Sequence, residues 1–299
     1  MSLILIGLIT FSPLELRVTL VDTLFYPREE IFLDVVFVNN GNDTTRILSI
    51  GSLRAKPDGL RFHIKNEKGI KLIWNGIPMS YGIPNKIEYF TAIAAKDSFI
   101  IHDTPLNGSS AYAYVSPGRE KKWMYLIDPG IYEGYAVYHW TAKTCRAMAK
   151  PEEKERIIRS LPVFHDSIQS NTIRFRVLPA KGIDSVALEE YTKAIYHDVW
   201  FKEDSAIIVC QGILLKYPNS PYAPLAQKMI CELSRSQRKI EYEKFIRLFP
   251  NHHFVPIMLE RMKGLYSKER WIEYLSMIIE NYPKTKVSEA AKRLLKEKG

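Results

Sequence analysis

The chain has 299 residues, enough for one large or two ordinary domains, each with its own core. With 46% hydrophobic and 25% charged residues, the composition is that of an ordinary globular protein. The formal net charge of +9 favours acidic partners only where cations cluster, and they cluster weakly. Arg119, Lys121 and Lys122 form one short group; Lys292, Arg293, Lys296 and Lys298 form another, interleaved with Glu289 and Glu297. No basic stripe carries interleaved aromatics, so a nucleic-acid partner is disfavoured.

The first segment, MSLILIGLITFSP, leaves two readings open. Its apolar core has signal-peptide length, yet no Lys or Arg precedes it and no A-x-A site follows. Residues 1–13 therefore read either as a signal-like segment or as a first strand. The first reading places the protein in the periplasm or outside the cell, and the second leaves a cytoplasmic location as the alternative. The stretch is too short to cross a bilayer as a helix, so no transmembrane helix is expected. Three cysteines, Cys145, Cys210 and Cys231, are too few for a disulfide framework.

From Leu14 the pattern has period two. Leu14, Leu16, Val18 and Leu20 alternate with Glu15, Arg17 and Thr19, as in a half-buried strand. IFLDVVFVNNGN reads as a more apolar strand ending at the Asn40-Gly41 turn signal, and LRFHIKNEKGIKLIW as a hairpin turning near Lys68-Gly69. SFIIHD, GIYEGYAVYHW and NTIRFRVLP supply further strands. Short strands separated by turns predict a β-sandwich over 14–180.

Asp128-Pro129-Gly130-Ile131-Tyr132 has the D-x-G-x-Y form of a tyrosine corner, in which the phenol donates back to upstream backbone. On these residues the region resembles the immunoglobulin and fibronectin type III-like group, with Gly134 where an antibody domain has its second cysteine. It is also similar to bacterial sandwich domains related to intracellular proteinase inhibitors, although no inhibitory loop maps onto it.

Between the strand ending near Trp140 and the one beginning near Asn171, some thirty residues intervene where a tight hairpin would suffice. Pro151 followed by Glu152, Glu153 and Glu155 reads as a helix start, giving a helical insertion near 144–166. Ile157, Ile158 and Leu161 offer its apolar edge, which either braces the molecule or serves as a candidate partner-binding lip.

Beyond a junction near Ala180–Asp184 the period changes. Tyr217-Pro218, Phe249-Pro250 and Tyr282-Pro283 recur at intervals of 32 and 33 residues. Equivalent positions before each pair are apolar (Cys210, Tyr242, Leu275; Ile213, Phe245, Ile278), and so are those after it (Tyr222, Phe254, Val287; Ala226, Met258, Ala291). Spacing of four on each side is a helical face, so each unit reads as helix, turn, helix. Proline ends the first helix because it lacks an N–H and clashes with the preceding turn, and the aromatic is expected to be buried between the two helices. Ser220 and Thr285 stand where N-caps are needed. A lone helical pair cannot bury its apolar face, so stacking over 184–299 is expected.

These residues, and Tyr217-Pro218-Asn219-Ser220-Pro221-Tyr222-Ala223 above all, resemble tetratricopeptide-type repeats of the kind found in bacterial outer-membrane assembly lipoproteins. The resemblance implies a surface for protein contacts rather than chemistry. The second copy departs from the pattern, with His252 and His253 where a serine and a helix starter belong.

Catalytic signatures are lacking: the chain has no H-E-x-x-H, G-x-S-x-G, phosphate-cradling glycine loop or C-x-x-C. His63 alternates with Phe62 and Ile64 and reads as a solvent-facing strand residue. His252-His253 is the one paired histidine, but adjacent residues do not share a helix face and no carboxylate lies near in sequence, so no metal site is expected. Cys210 falls on a core position. Cys231 aligns with Lys263 and Lys296, so exposure is expected, and a Cys210–Cys231 bridge is left open. The aromatics Tyr112, Tyr114, Trp123, Tyr125, Tyr132, Tyr135, Tyr138 and Trp140 read as core and sheet face, with a carbohydrate or peptide platform as the alternative. The sequence thus predicts β then α: an immunoglobulin-like sandwich followed by a tetratricopeptide-like helical array. It reads as a non-catalytic, protein-binding scaffold or adaptor of a bacterial cell envelope, with no cofactor.

Overall fold

The computed structural model describes residues 13–48, 60–69, 71–72, 90–106, 128–139, 164 and 166–296. An N-terminal β-rich region precedes a C-terminal run of seven helices. Contacts divide the chain into two compact units: Met1–Thr23 with Glu30–Arg176, and Leu24–Glu29 with Val177–Gly299. A short segment from the N-terminal part of the chain therefore belongs to the helical unit.

In the first unit, β1 (Leu14–Leu20), β3 (Phe32–Asn39) and β8 (Ser98–Pro105) form one antiparallel sheet in the order β1-β3-β8. A second sheet runs β11-β9-β5-β6, built from β11 (Ile173–Val177), β9 (Gly130–His139), β5 (Leu60–Asn66) and β6 (Lys71–Leu72). The short β10 (Ser167–Gln169) also pairs with β9, and β4 (Thr45–Leu48) pairs with β7 (Phe90–Ile93). Alternation decides what is buried: Leu14, Leu16 and Val18 face inward from β1, and Leu60, Phe62 and Ile64 from β5. The two inner faces meet where the Phe37 ring packs edge-on against Tyr138 at 5.1 Å.

Two local devices fix this unit. The Tyr132 hydroxyl donates to the Asp128 carbonyl at 2.8 Å, which is the corner bond read from D-x-G-x-Y, and its ring stacks on Phe175 at 5.2 Å. Fully buried Asn39 donates through Nδ2 to the carbonyls of Asp43, Ile93 and Ala94, and accepts from Gly41 N through Oδ1 at 3.0 Å. A buried amide so placed has its donors and acceptor satisfied, and it ties the end of β3 to the turn that follows. The hairpin at Lys68-Gly69 closes through Gly69 N donating to Asn66 O at 2.9 Å, with Gly69 at φ +75°, a conformation a side chain would resist.

The second unit contains β2 (Leu24–Phe25) and the helices α1 (Ile183–Val199), α2 (Glu203–Lys216), α3 (Tyr222–Leu233), α4 (Arg238–Leu248), α5 (Val255–Lys263), α6 (Lys268–Asn281) and α7 (Lys286–Lys296). The aromatic-proline pairs end α2, α4 and α6 in the same way. Tyr217, Phe249 and Tyr282 all leave helical geometry, at φ −125 to −132° and ψ 50 to 53°. Each N–H still bonds back into its helix, to Ile213, Phe245 and Ile278 respectively. The expected burial of these aromatics does not hold, because all three are half-buried. The plug positions lie one turn earlier, at Ile213, Phe245 and Ile278, which are at most 1% exposed.

Thr285 caps α7, its Oγ1 accepting from Ser288 N at 3.3 Å, and Ser220 Oγ accepts from Tyr222 N at 3.4 Å before α3. Among the helices, α3 is buried most completely, from Tyr222 to Cys231 without interruption. Cys231 is therefore fully buried rather than exposed, so its alignment with two lysines misled. Cys210 and Cys231 are unbridged thiols: Cys210 Sγ lies 3.5 Å from Met229 Sδ, and Cys231 Sγ accepts from Gln227. Burial pushes both thiols up to about 12, so neither is a nucleophile at neutral pH.

Candidate functional site

Two features of the helical unit stand apart from ordinary packing. The first is a set of exposed apolar side chains on the helices that precede each aromatic-proline pair. Ile208 on α2, Ile240 on α4 and Ile272 on α6 recur at steps of 32 residues and are 67%, 61% and 38% exposed. Leu215, Leu248 and Met277 on the same helices are exposed as well, and Tyr196, Trp200 and Phe201 stand out at the end of α1. The following helices, α3 and α5, instead bury their apolar residues, including Leu225, Ile230, Met258 and Leu259. The apolar surplus thus collects on one helix of each pair.

The second feature is a carboxylate among histidines. Leu24–Glu29 packs into the helical unit: Phe25 is fully buried with its ring edge-on to His253 at 5.6 Å, and Tyr26 meets the Tyr222 ring at 6.4 Å. The chain then turns sharply at Arg28, φ +73°, and Glu29 N donates to Tyr26 O at 3.1 Å. The Glu29 carboxylate folds back so that Oε2 accepts from Tyr26 N at 2.7 Å. That bond orients the other oxygen, Oε1, which lies 3.4 Å from His253 Nε2 and 3.8 Å from His252 Nε2.

His252 occupies the place that Ser220 holds one unit earlier, and it does the same work. Its Nδ1 accepts from Phe254 N at 3.3 Å, and Val255 N bonds to its carbonyl, as Ala223 N does to that of Ser220. The two imidazoles stack at 4.4 Å, and Phe254 closes over His252 at 4.7 Å. Burial, then His253, then Lys286 hold the His252 pKa well below the usual histidine value, which favours the neutral ring. Glu29 and His253 are 5% and 4% exposed, and His252 retains a little more contact with solvent. Among the described residues, this is the one grouping of three or more His, Cys, Asp or Glu side chains whose donor atoms all lie within 4.8 Å of one another.

Sequence reading expected no metal site at the histidine pair, because no carboxylate lies near it in sequence. It singled out His252-His253 but not Glu29, which stands more than two hundred residues away with no spacing rule to connect them. The apolar row carries a readable signal, isoleucine at a fixed interval of 32 residues. Of the remaining candidates, Ile157, Ile158 and Leu161 and the insertion near 144–166, apart from residues 164 and 166, lie outside the described residues, as do residues 1–12, Trp123, Trp140 and Cys145. Among the aromatics of the β unit, Tyr132 and Tyr138 are buried, while Tyr135 stacks at 5.3 Å on His63, which is exposed as read.

A third cluster is structural in kind. Glu232, at the end of α3, takes Lys228 Nζ at 2.9 Å and the Arg261 guanidinium from α5. Those two cations hold its pKa down to about 2 against the opposing effect of burial. No helix among the described residues is long and apolar enough to cross a membrane. Neither the protein-family models nor the curated proteins contain a match to this chain.

Proposed function

We propose that this protein is a non-catalytic scaffold or adaptor that binds another protein along the helices preceding its aromatic-proline turns. One observation carries the reading: the apolar residues Ile208, Ile240 and Ile272, repeated every 32 residues, stay in water while the intervening helices bury theirs. Exposed apolar groups recurring on successive helical pairs are what a protein contact surface requires. The tetratricopeptide-like character of the repeats, and an immunoglobulin-like character of the β unit, belong to the same proposal. The three matching helix ends support the first, and the Tyr132 corner bond supports the second. The apolar N-terminal stretch supports a cell-envelope location, which fractionation of the native host would test directly.

The binding test changes the row and nothing beneath it. A triple variant, Ile208→Ser, Ile240→Ser and Ile272→Ser, removes exposed apolar surface only, so helical circular dichroism and Tm should stay close to those of the parent. Crosslinking in the native host followed by mass spectrometry should give a discrete protein partner with the parent and lose it with the variant. Equal capture by both, or no partner for the parent, would overturn the proposal.

A further inference from the structure

The geometry points to a divalent transition-metal site, of zinc-like preference, formed by Glu29 Oε1, His252 Nε2 and His253 Nε2. Three arguments support it. The donor set is one carboxylate oxygen and two imidazole nitrogens, which borderline metals of the zinc class accept and which the harder calcium and magnesium ions do not favour. The separations fit as well: with metal–ligand bonds of about 2.0–2.2 Å, tetrahedral donors stand roughly 3.4 Å apart. The two carboxylate–imidazole distances are 3.4 and 3.8 Å, and all three donor atoms lie within 4.8 Å of one another, so ligation draws the two imidazoles together.

Outer partners are also in place. Tyr26 N–H holds the non-ligating oxygen of Glu29 at 2.7 Å, presenting Oε1 alone. Phe25, Phe254 and the tight turn at Arg28 wall the site with apolar side chains and backbone. His252 is the most exposed of the three ligands and marks the side from which an ion enters. A fourth position is then left for water.

Ligation has one structural consequence. Coordination through His252 Nε2 needs the lone pair there, so the proton of the neutral ring moves to Nδ1. The cap contact from Phe254 N, at 3.3 Å a long hydrogen bond, gives way. The ion would bind the folded second unit, pinning Leu24–Glu29 to the start of α5, and it would raise the stability of that unit by mass action.

The test uses the full chain with Cys145→Ser, which removes a competing thiol, after chelator treatment and dialysis. Zinc(II) is titrated calorimetrically, cobalt(II) is followed by its visible absorption, and Tm is read with and without metal. One equivalent of zinc with a raised Tm, and intense tetrahedral-type cobalt bands, are expected. Glu29→Gln, which keeps the acceptor for Tyr26 N, should lose at least tenfold in affinity, and His253→Gln likewise. If one of these variants folds poorly by circular dichroism, the other decides, because each removes a ligand. No binding by the parent at 100-fold excess zinc overturns the site, and so does binding that both variants retain, since the ion would then sit elsewhere.

Discussion

Replacing Glu232 by glutamine tests whether the α3–α5 charge cluster stabilises the helical unit and should give a characteristic pH dependence. The substitution keeps the shape of the side chain and removes the charge that Lys228 and Arg261 share; their side chains are only 7% and 14% exposed. The folded pKa of about 2 lies below the ordinary 4.5. At about 1.36 kcal/mol per pH unit, that gap corresponds to about 3 kcal/mol at neutral pH. The Glu232 side chain is 30% exposed, and solvent screening brings the expected loss to about 2 kcal/mol. Because the pKa is depressed on folding, the contribution is complete above the unfolded value and is lost as pH falls from 4.5 towards 2. The parent should therefore exceed Glu232→Gln by about 2 kcal/mol at pH 7 and keep that lead at pH 6. More than half of the lead should be gone by pH 3. Urea unfolding followed by helical circular dichroism reports on this unit, and the m-value checks that the denatured state is unchanged. A difference that is absent at pH 7, or that stays constant down to pH 3, would refute the reasoning.

Gly134 sits opposite Ile64 in the β9–β5 pair, and a Cβ there would lie 2.2 Å from the His63 carbonyl oxygen and 2.8 Å from Ile64 Cα. Both obstacles are backbone, so Gly134→Ala should destabilise the β unit by about 1–3 kcal/mol, read as faster hydrogen exchange in β5 and β9; unchanged exchange would contradict it. In a Cys145→Ser background, Cys210 and Cys231 should resist a thiol reagent at pH 8 and react together only in denaturant, since burial pushes both to about 12. Labelling of Cys231 in the folded protein would show that α3 is not buried as described.

How much of this was legible in the sequence depended on the range of each interaction. Period-two alternation located β1 because a strand with one buried face writes its burial directly into the chain, and β3, β5 and β9 were legible as short strand-like runs set off by turn signals. D-x-G-x-Y disclosed the corner bond because donor and acceptor lie four residues apart. The aromatic-proline pairs located three helix ends because proline acts on its own neighbours. What failed was inference from alignment to environment. Cys231 aligns with Lys263 and Lys296, but α3 is enclosed on more sides than α5 or α7, so the same helical position is interior there. Tyr217, Phe249 and Tyr282 looked like core plugs because aromatics usually are, yet all three are half-buried while Ile213, Phe245 and Ile278, one turn earlier, fill the core.

The histidine pair shows how a departure from a repeat can carry the information. Judged by pattern alone, His252 and His253 weaken the second copy, since a serine and a helix starter are missing. The turn ahead of the helix, however, needs an acceptor for the N–H two residues on and not a hydroxyl as such, and His252 Nδ1 provides one at 3.3 Å where Ser220 Oγ provides one at 3.4 Å. The imidazole differs from serine in having a second nitrogen on the far side of the ring. That nitrogen, with its neighbour on His253, is aimed at a carboxylate held in place by its own turn. A serine and a proline would have satisfied the helix equally well and offered Glu29 no imidazole nitrogen. The substitution therefore gains nothing for the helix itself, and its physical consequence lies in what the two imidazoles and Glu29 hold together.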